Sequence, residues 1–539
     1  MRIECACLST DHSGAAVSRI QRQSCEQPSG LVLPNGHRSG NTNVTDRVRY
    51  FTIHPFIVHL WAKGKATTDK AALKDLVRRV ECILAISERI RVRDTDEFAP
   101  GIIGRLRVDR WLREQSHPLP DNLRVPLREL EREYFKNSWG GFGQYYSGPE
   151  QELQIIGWQE GLPRLIKPLG PQLASAVGSA FERSHFDQLL SDDKPKVAQF
   201  RQVGETLAFN TLEPPERNFL RQILLDTSNH YGEAGLRRRR SMLLLLAASH
   251  QSSQGLNRPD WDLMDAALHG RIPVKKSFHC PAEFEPYLGL WRTYTLTEFL
   301  AFALEMILAV SVELVAEAEV TRRPLSSVNA LAHEASSLVS AQFARKLVKD
   351  LVTECAKKIH SPHVDTLTDK CEEGVLRRSA ETAMAEGRRA NALRDSLRLL
   401  ARLAGQIEAD LEICARFQKL GLRLGADRIG LADLARYVKN SHSSTVKQFV
   451  TDIVKIVVNS HLRIATAKLV HNEDFTFKLV FEGGILRKVR EVEPTFSHPP
   501  LQQGAQILAG LGFFTYQDGG FHITHDGVTT LREFRCING

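Results

Sequence analysis

Apolar positions along this chain recur with two periods. Most of its length carries the three- and four-residue spacing of amphipathic helices, and three short stretches alternate with period two. Over Ala71 to Arg91, Leu73, Leu76, Val77, Val80, Ile83, Leu84 and Ile90 fall on one stripe, with Arg78, Arg79, Glu81 and Glu88 expected to face away. The preceding segment, Thr45 to Trp61, is aromatic-rich and predicts a helix bent or broken at Pro55. Short helices are expected over Gly101 to Leu112 and Leu127 to Phe135, and Trp139 to Gly148 (WGGFGQYYSG) reads as a glycine-rich loop. Helices follow over Glu216 to Asp226, Leu236 to Ala248 and Tyr294 to Glu319. Leu325 to Ile359 and Glu372 to Leu420 read as long helical stretches resembling an antiparallel pair, and Ile429 to Leu469 is helical too.

The period-two stretches carry the sharper signal. Leu501 to Leu511 (LQQGAQILAGL) predicts a short helix stopped by Gly512. Phe513, Phe514 and Tyr516 then alternate, Asp518, Gly519 and Gly520 turn, Phe521 and Ile523 alternate back, and a last helix starts near Thr524. Asp-Gly between alternating apolar runs is a hairpin signal, because tight hairpin turns need positive φ. The order helix, hairpin, helix reads as the back half of a winged helix. Glu150 to Phe181 repeats the pattern, with Ile156-Gly157-Trp158 beside Leu511-Gly512-Phe513 and a turn expected over Gly161 to Arg164. A further hairpin (FTFKLVFEGGILRKV) turns at Gly483-Gly484.

The expected fold class is therefore mainly α (α+β): a helical multidomain chain with winged-helix-like units near the N-terminal third and at the C-terminus. The expected divisions are a flexible leader over 1–43, a helical domain with a winged unit over 44–190, a helical middle over 191–425, helices plus hairpin over 426–490, and a winged unit over 491–539.

Composition changes this picture little. With 539 residues, 42% hydrophobic and 25% charged, the chain reads as an ordinary folded protein of several domains. Its 9 Cys are scattered, which suits a reducing cytosol, and a cytoplasmic location is expected. Glu305 and Glu313 interrupt the most apolar segment, Phe299 to Val315, so a buried helix is expected there and no membrane partner.

Charge bears on partners. A formal charge of +8 is compatible with nucleic acid. In the C-terminal winged unit, Gln502, Gln503 and Gln506 would be the residues able to reach bases, since Gln pairs with adenine through two hydrogen bonds. Arg487, Lys488 and Arg490 on the adjoining hairpin would meet phosphates. Winged units also dock proteins, and this helix carries no Arg or Lys. The run Arg237 to Arg240 is either a phosphate clamp or a solvated basic helix start. Arg436 and His442 have the spacing of an acid–base pair in some helical ribonucleases. His54 with His59, and His522 with His525, lack accompanying Cys or carboxylates, so no metal site is expected. No catalytic constellation and no cofactor motif is found.

Three segments, Asn43 to Trp61 (NTNVTDRVRYFTIHPFIVHLW), Trp139 to Ile156 (WGGFGQYYSGPEQELQII) and His461 to Phe477 (HLRIATAKLVHNEDFTF), together with the winged end, resemble an uncharacterised bacterial anti-phage defence family, in particular the second component of type I Druantia operons. The resemblance skips the middle of the chain and carries no site residue. It implies a component of a multi-gene antiviral system that works beside a large helicase, and since no catalytic constellation is found a non-enzymatic component is expected. The expected partners are other proteins of the same defence operon, with double-stranded DNA as a second ligand. The alternatives are a DNA-binding transcription regulator and a helical ribonuclease.

Overall fold

The apolar stripes find partners throughout, and helix accounts for 69% of the structure against 7% for strand. The computed structural model describes residues 47–64, 69–95, 102–132, 137–272, 276–356, 372–409, 430–470, 475–496 and 501–534. The leader over 1–43 and the prolines at 499 and 500 lie outside these residues.

The first helices are α1 (Tyr50–Lys63), α2 (Lys70–Thr95), α3 (Arg105–Arg113), α4 (Leu127–Arg132) and, after a π-helical turn at Phe142–Tyr146, α5 (Ser147–Glu152). Strands β1 (Ile156–Gln159) and β2 (Leu162–Leu165) lead to α6 (Leu169–Arg183), α7 (Phe186–Ser191), α8 (Val197–Thr206), α9 (Pro214–Leu224), α10 (Gly232–Gln251) and α11 (Pro259–His269). The two-residue strands β3 (Arg271–Ile272) and β4 (Lys276–Ser277) precede α12 (Glu285–Val320), α13 (Val328–Ser337), α14 (Ala341–Arg345), α15 (Val348–Ala356), α16 (Glu372–Ala385), α17 (Arg389–Ala409), α18 (Leu431–Asn440) and α19 (Val446–Val470). The chain ends with β5 (Leu479–Glu482), β6 (Ile485–Lys488), α20 (Leu501–Gly510), β7 (Phe514–Gln517), β8 (Gly520–Ile523) and α21 (His525–Glu533). Every sheet among the described residues has two strands.

These elements divide into two compact units. One holds the described residues up to Ala266, with Gly270–Leu288 and the C-terminal stretch from Pro499; the other holds Ala267–His269 and Gly289–His498. The last forty residues thus belong with the first part of the chain. The reason is a shared backbone ladder: the Leu256 amide donates to the Phe521 carbonyl at 3.0 Å and the Phe521 amide to Leu256 at 2.8 Å. Ser249 Oγ donates to the same Phe521 carbonyl at 2.9 Å.

In the first unit, α1 runs through Pro55 without a break. An interior proline costs a helix about 3 kcal/mol. Burial of Tyr50, Phe51, Ile53, Phe56, Ile57 and Val58 on both sides of it offsets that cost. Just before this helix, Arg49 is wholly buried. It pairs with Glu216 at 3.0 Å, which also accepts from Thr52 Oγ1 at 2.6 Å.

Helix α2 keeps the predicted apolar stripe, but Glu81 and Glu88 do not face away: both are buried. Glu88 pairs with Arg91 at 2.9 Å. Glu81 accepts the backbone amides of Gly141 at 2.8 Å and Phe142 at 2.7 Å. That contact also corrects the expected loop over Trp139 to Gly148, which is helical and includes the π-helical turn. The glycines there serve close approach. A Cβ on Gly140 would stand 2.4 Å from Glu81 Oε2, and one on Gly141 2.5 Å from Ile103.

In the second unit, α12 is the apolar core helix. Among the described residues one helical span, Ala282–Val320, is long and apolar enough to cross a membrane, and 89% of its apolar window is buried inside the protein. Glu305 within it accepts the Thr495 amide at 2.9 Å. Helices α16 and α17 form an αα-hairpin that turns at Gly387, whose φ of 72° suits glycine. The stretch from Leu325 is three short helices, α13 to α15. The segment between α18 and α19 pairs back through a bridge from Leu347 to Thr445. Hairpin β5–β6 is anchored by the Leu486 amide, which donates to Leu325 O at 2.8 Å. His461 Nε2 accepts the Lys478 amide at 2.9 Å, and burial followed by the Lys478 charge pulls this imidazole down to about 4.

Candidate functional site

Three hairpins share one construction. Each joins two four-residue antiparallel strands through two residues, Glu160-Gly161, Gly483-Gly484 or Asp518-Gly519. All six turn residues have positive φ: 53° and 74°, 59° and 79°, 49° and 79°. This is the geometry of turns whose twist matches paired strands. The turn of the first hairpin is therefore Glu160-Gly161, and Leu162 and Pro163 lie within β2.

The same position of each first strand carries an exposed aromatic ring. Trp158 is 36% exposed, Phe481 51% and Tyr516 46%. Each stands opposite an apolar residue of the return strand, Pro163, Leu486 or Phe521. Those partners are buried, so the fold uses their side chains and leaves the aromatic rings partly exposed. Trp158 also leans on Trp139 at 5.2 Å and Phe142 at 5.9 Å between ring centres.

The residues read from sequence as nucleic-acid contacts sit in both units. Arg487 pairs with Glu482 at 3.0 Å and Glu319 at 3.4 Å. Lys488 pairs with Glu313 at 2.7 Å and Glu491 at 3.5 Å, and the Glu313 hydrogen bond raises its ammonium above the ordinary lysine range. Arg490 lies over the Phe475 ring at 5.8 Å. On α20, Gln502, Gln503 and Gln506 are all half-buried. The Gln502 amide donates to Asp260 at 2.5 Å, which caps the helix, and burial pushes the Asp260 carboxyl up to about 7. Gln503 Oε1 is buried with no partner among the described residues. No residue of α20 is fully exposed.

The Arg237–Arg240 run is neither a clamp nor a solvated helix start. Arg238 is buried, donates to Leu224 O at 2.9 Å and Ile223 O at 3.1 Å, and covers the Tyr231 ring at 4.7 Å. It thereby satisfies carbonyls at the C-terminal end of α9. Arg239 donates to Asp226 O at 2.8 Å and covers Phe534 at 5.2 Å; Arg240 covers Tyr287 at 4.5 Å; Arg237 pairs with Glu233 at 3.1 Å. The aromatic partners come from elsewhere in the chain, which is why the local sequence shows no interleaved rings.

Arg436 and His442 have separate partners. Arg436 is exposed beside Asp433 at 4.0 Å, and His442 lies 3.9 Å from Glu408. His54 and His59 differ sharply. His59 is partly exposed, and burial followed by Lys63 lowers its imidazole. His54 is buried between two carboxylates, with Nδ1 2.6 Å from Glu150 and Nε2 3.2 Å from Glu81. Burial alone would lower it, but Glu150 and then Glu81 outweigh that and hold it at about 9, so both ring nitrogens donate. Tyr50, Phe142 and Tyr146 surround the ring at 5.1 to 5.3 Å. Sequence spacing gave no hint of this trio, whose members lie on three separate helices.

Among the described residues, one cluster could hold a metal. His269, Glu372 and Glu373 bring ligand atoms within 4.8 Å of one another. A cation already occupies that role: Arg402 bonds Glu373 through Nε and Glu372 through Nη2 at 3.0 Å, while His269 meets Glu373 at 3.1 Å. His522 and His525 join no such cluster among the described residues. A cleft of about 420 Å³ beside α2 has charges of both signs in its lining, and its Arg79 is tied to Leu189 O and Asp192 O. The described free thiols are held protonated by burial: Cys82 is raised, Cys280 is pushed up to about 12 and Cys355 to about 11. Compared with known protein families, with curated proteins and with solved structures, the chain matches none.

Proposed function

We propose that this chain is a non-enzymatic component of a multi-protein bacterial antiviral system, and that it docks a partner protein through its hairpin tips. In this reading the segments 147–183 and 501–533 are winged-helix modules. The observation that carries it is the aromatic ring repeated at one register position of three hairpins, Trp158, Phe481 and Tyr516. Exposed rings are the residues that anchor protein interfaces, because they bury a large area for little lost side-chain freedom. Protein is favoured over DNA at these tips because the cations there are taken: Arg487 and Lys488 already hold carboxylates. The buried ionic clusters also fit a binding role, since Arg402 and His54 neutralise internal carboxylates and present no reactive group.

The test is co-purification of the tagged full chain with the proteins of its own operon. A Trp158→Ser, Phe481→Ser, Tyr516→Ser variant should lose the partner while still melting cooperatively as a folded chain, with some stability lost where Trp158 packs on Trp139 and Phe142 and Tyr516 on Phe521. Undiminished capture by that variant would refute docking at the hairpins.

A further inference from the structure

Helix α3 carries a set of cations that no described residue uses. Its sequence is RLRVDRWLR. Val108 and Leu112 are buried, so they fix which side faces the protein. Arg105, Leu106, Arg110 and Arg113 are exposed on the other side. At 3.6 residues per turn these four span an arc of about 140° and a length of about 12 Å. The guanidinium groups of Arg105, Arg110 and Arg113 meet no carboxylate, carbonyl or ring among the described residues.

The surroundings keep this face positive. Asp109 is the helix's own acid, and Arg89 of α2 neutralises it at 2.5 Å. The C-terminal end of a helix is a negative pole. Here Arg93 covers it, donating to Leu112 O at 2.6 Å, Gln115 O at 3.0 Å and Ser116 O at 3.1 Å. Neighbouring arginines thus cancel these two negative features, and Glu114, exposed at the helix end, forms no ion pair with the outer three among the described residues. Elsewhere the prominent basic groups are engaged: the Arg237–Arg240 run holds carbonyls and rings, and Arg487 and Lys488 hold acids.

We propose that α3 is a nucleic-acid contact surface, with Arg105, Arg110 and Arg113 binding the phosphate backbone of a duplex without reading its sequence. A duplex presents a phosphate charge about every 1.7 Å of its axis, so a 12 Å face offers each arginine a partner. Planar guanidinium groups suit phosphate oxygens through paired hydrogen bonds. An anionic membrane is the less suitable occupant. A surface-lying helix needs an outward apolar face, and α3 turns Val108 and Leu112 inward and leaves Leu106, 76% exposed, alone among the arginines. This surface shares no residue with the hairpins, so it stands or falls independently of partner docking.

The experiment is fluorescence anisotropy of a short fluorescein-labelled DNA duplex titrated with the full chain across a salt series. Two variants are compared with wild type: Arg105→Gln, Arg110→Gln, Arg113→Gln, and the same positions changed to Lys. Wild type should bind at low salt. The Gln variant should bind at least about tenfold more weakly, and its slope of log affinity against log salt should flatten by about 2.7, the value for three lost phosphate contacts. The Lys variant keeps the charge and should keep most of the slope. All three should melt alike and capture the protein partner equally, because the three side chains make no contact among the described residues. A wild-type chain that ignores the duplex at low salt, a Gln variant with an unchanged slope, or sedimentation with phosphatidylserine vesicles in place of duplex binding would each overturn the proposal. So would loss of binding on Arg487→Gln, Lys488→Gln, Arg490→Gln with the α3 variant unaffected.

Discussion

Changing Glu150 to Gln tests whether the buried His54 carries charge. His54 is enclosed by Glu150 at 2.6 Å and Glu81 at 3.2 Å, and its imidazole is held at about 9 against an ordinary value of 6.5. A group whose folded pKa is raised contributes stability that is fully present below the unfolded pKa and is lost as pH rises through the folded one. The window here is pH 6.5 to 9. A difference of about 2.5 units at about 1.36 kcal/mol each sets the contribution at about 3 kcal/mol. Burial raises Glu150 itself, so the carboxylate is tolerated there only while the imidazolium stands beside it. The Gln side chain keeps an acceptor for Nδ1 and removes the charge. Its cost should therefore be largest near pH 6, on the order of the 3 kcal/mol that Glu150 and Glu81 together sustain at His54, and shrink as pH rises through 9, where the wild type loses the pair as well. Thermal or urea unfolding of wild type and variant at both pH values measures the difference directly, and subtraction removes every other titrating group. A cost that does not change with pH would show that His54 is neutral in the folded chain and would remove the basis of the argument.

Other substitutions separate close approach from backbone freedom. Gly140→Ala and Gly483→Ala both place a side chain at positive φ, but only the first meets an obstacle, Glu81 Oε2 at 2.4 Å. That carboxylate is fixed by two amides and cannot yield, so Gly140→Ala should cost about 2–3 kcal/mol against about 1 kcal/mol for Gly483→Ala, read from melting curves. Arg238→Leu should cost about 2–4 kcal/mol by stranding two buried carbonyls, whereas Arg237→Ala should stay within about 0.5 kcal/mol. Equal melting temperatures for those two arginine variants would contradict the buried role of Arg238.

The helices and hairpins were legible because each is fixed by local spacing. The α2 stripe, the α20 helix and the Asp518-Gly519 turn follow from periods of 3.6 and 2 and from residues that tolerate positive φ. The first hairpin turns two residues before the Leu162-Pro163 step that the sequence marks as a turn, because Glu160, despite its Cβ, takes a φ of 53° that favours glycine. The Trp139 to Gly148 segment departs from the expected loop for a different reason. Its glycines signal a loop locally, yet they exist to admit a carboxylate from α2, sixty residues earlier in the chain. Glu81 and Glu88 were placed outward because a charged residue off the apolar stripe is usually solvated, and nothing in the local sequence reveals the amides and the histidine that satisfy Glu81. In each case the missing information is a contact between distant segments.

The same limit governs the reading of charge. A formal charge of +8 says that cations exceed anions and says nothing about which cations remain available. By sequence the densest run is Arg237 to Arg240, and it proves to be internal bracing, because a helix packed against α9 can supply the donors that its final carbonyls lack. The hairpin residues Arg487 and Lys488 read as free from sequence because Glu313 and Glu319 lie far away along the chain. The arginines of α3 are diluted by Leu106, Val108, Asp109, Trp111 and Leu112, and only folding sorts them, turning Val108 and Leu112 inward and neutralising Asp109 from α2. Electrostatic attraction to a polyanion depends on unpaired charge at the surface, since a paired guanidinium must first give up its partner. By that criterion the face formed by Arg105, Arg110 and Arg113 outranks both of the basic segments that sequence brings forward.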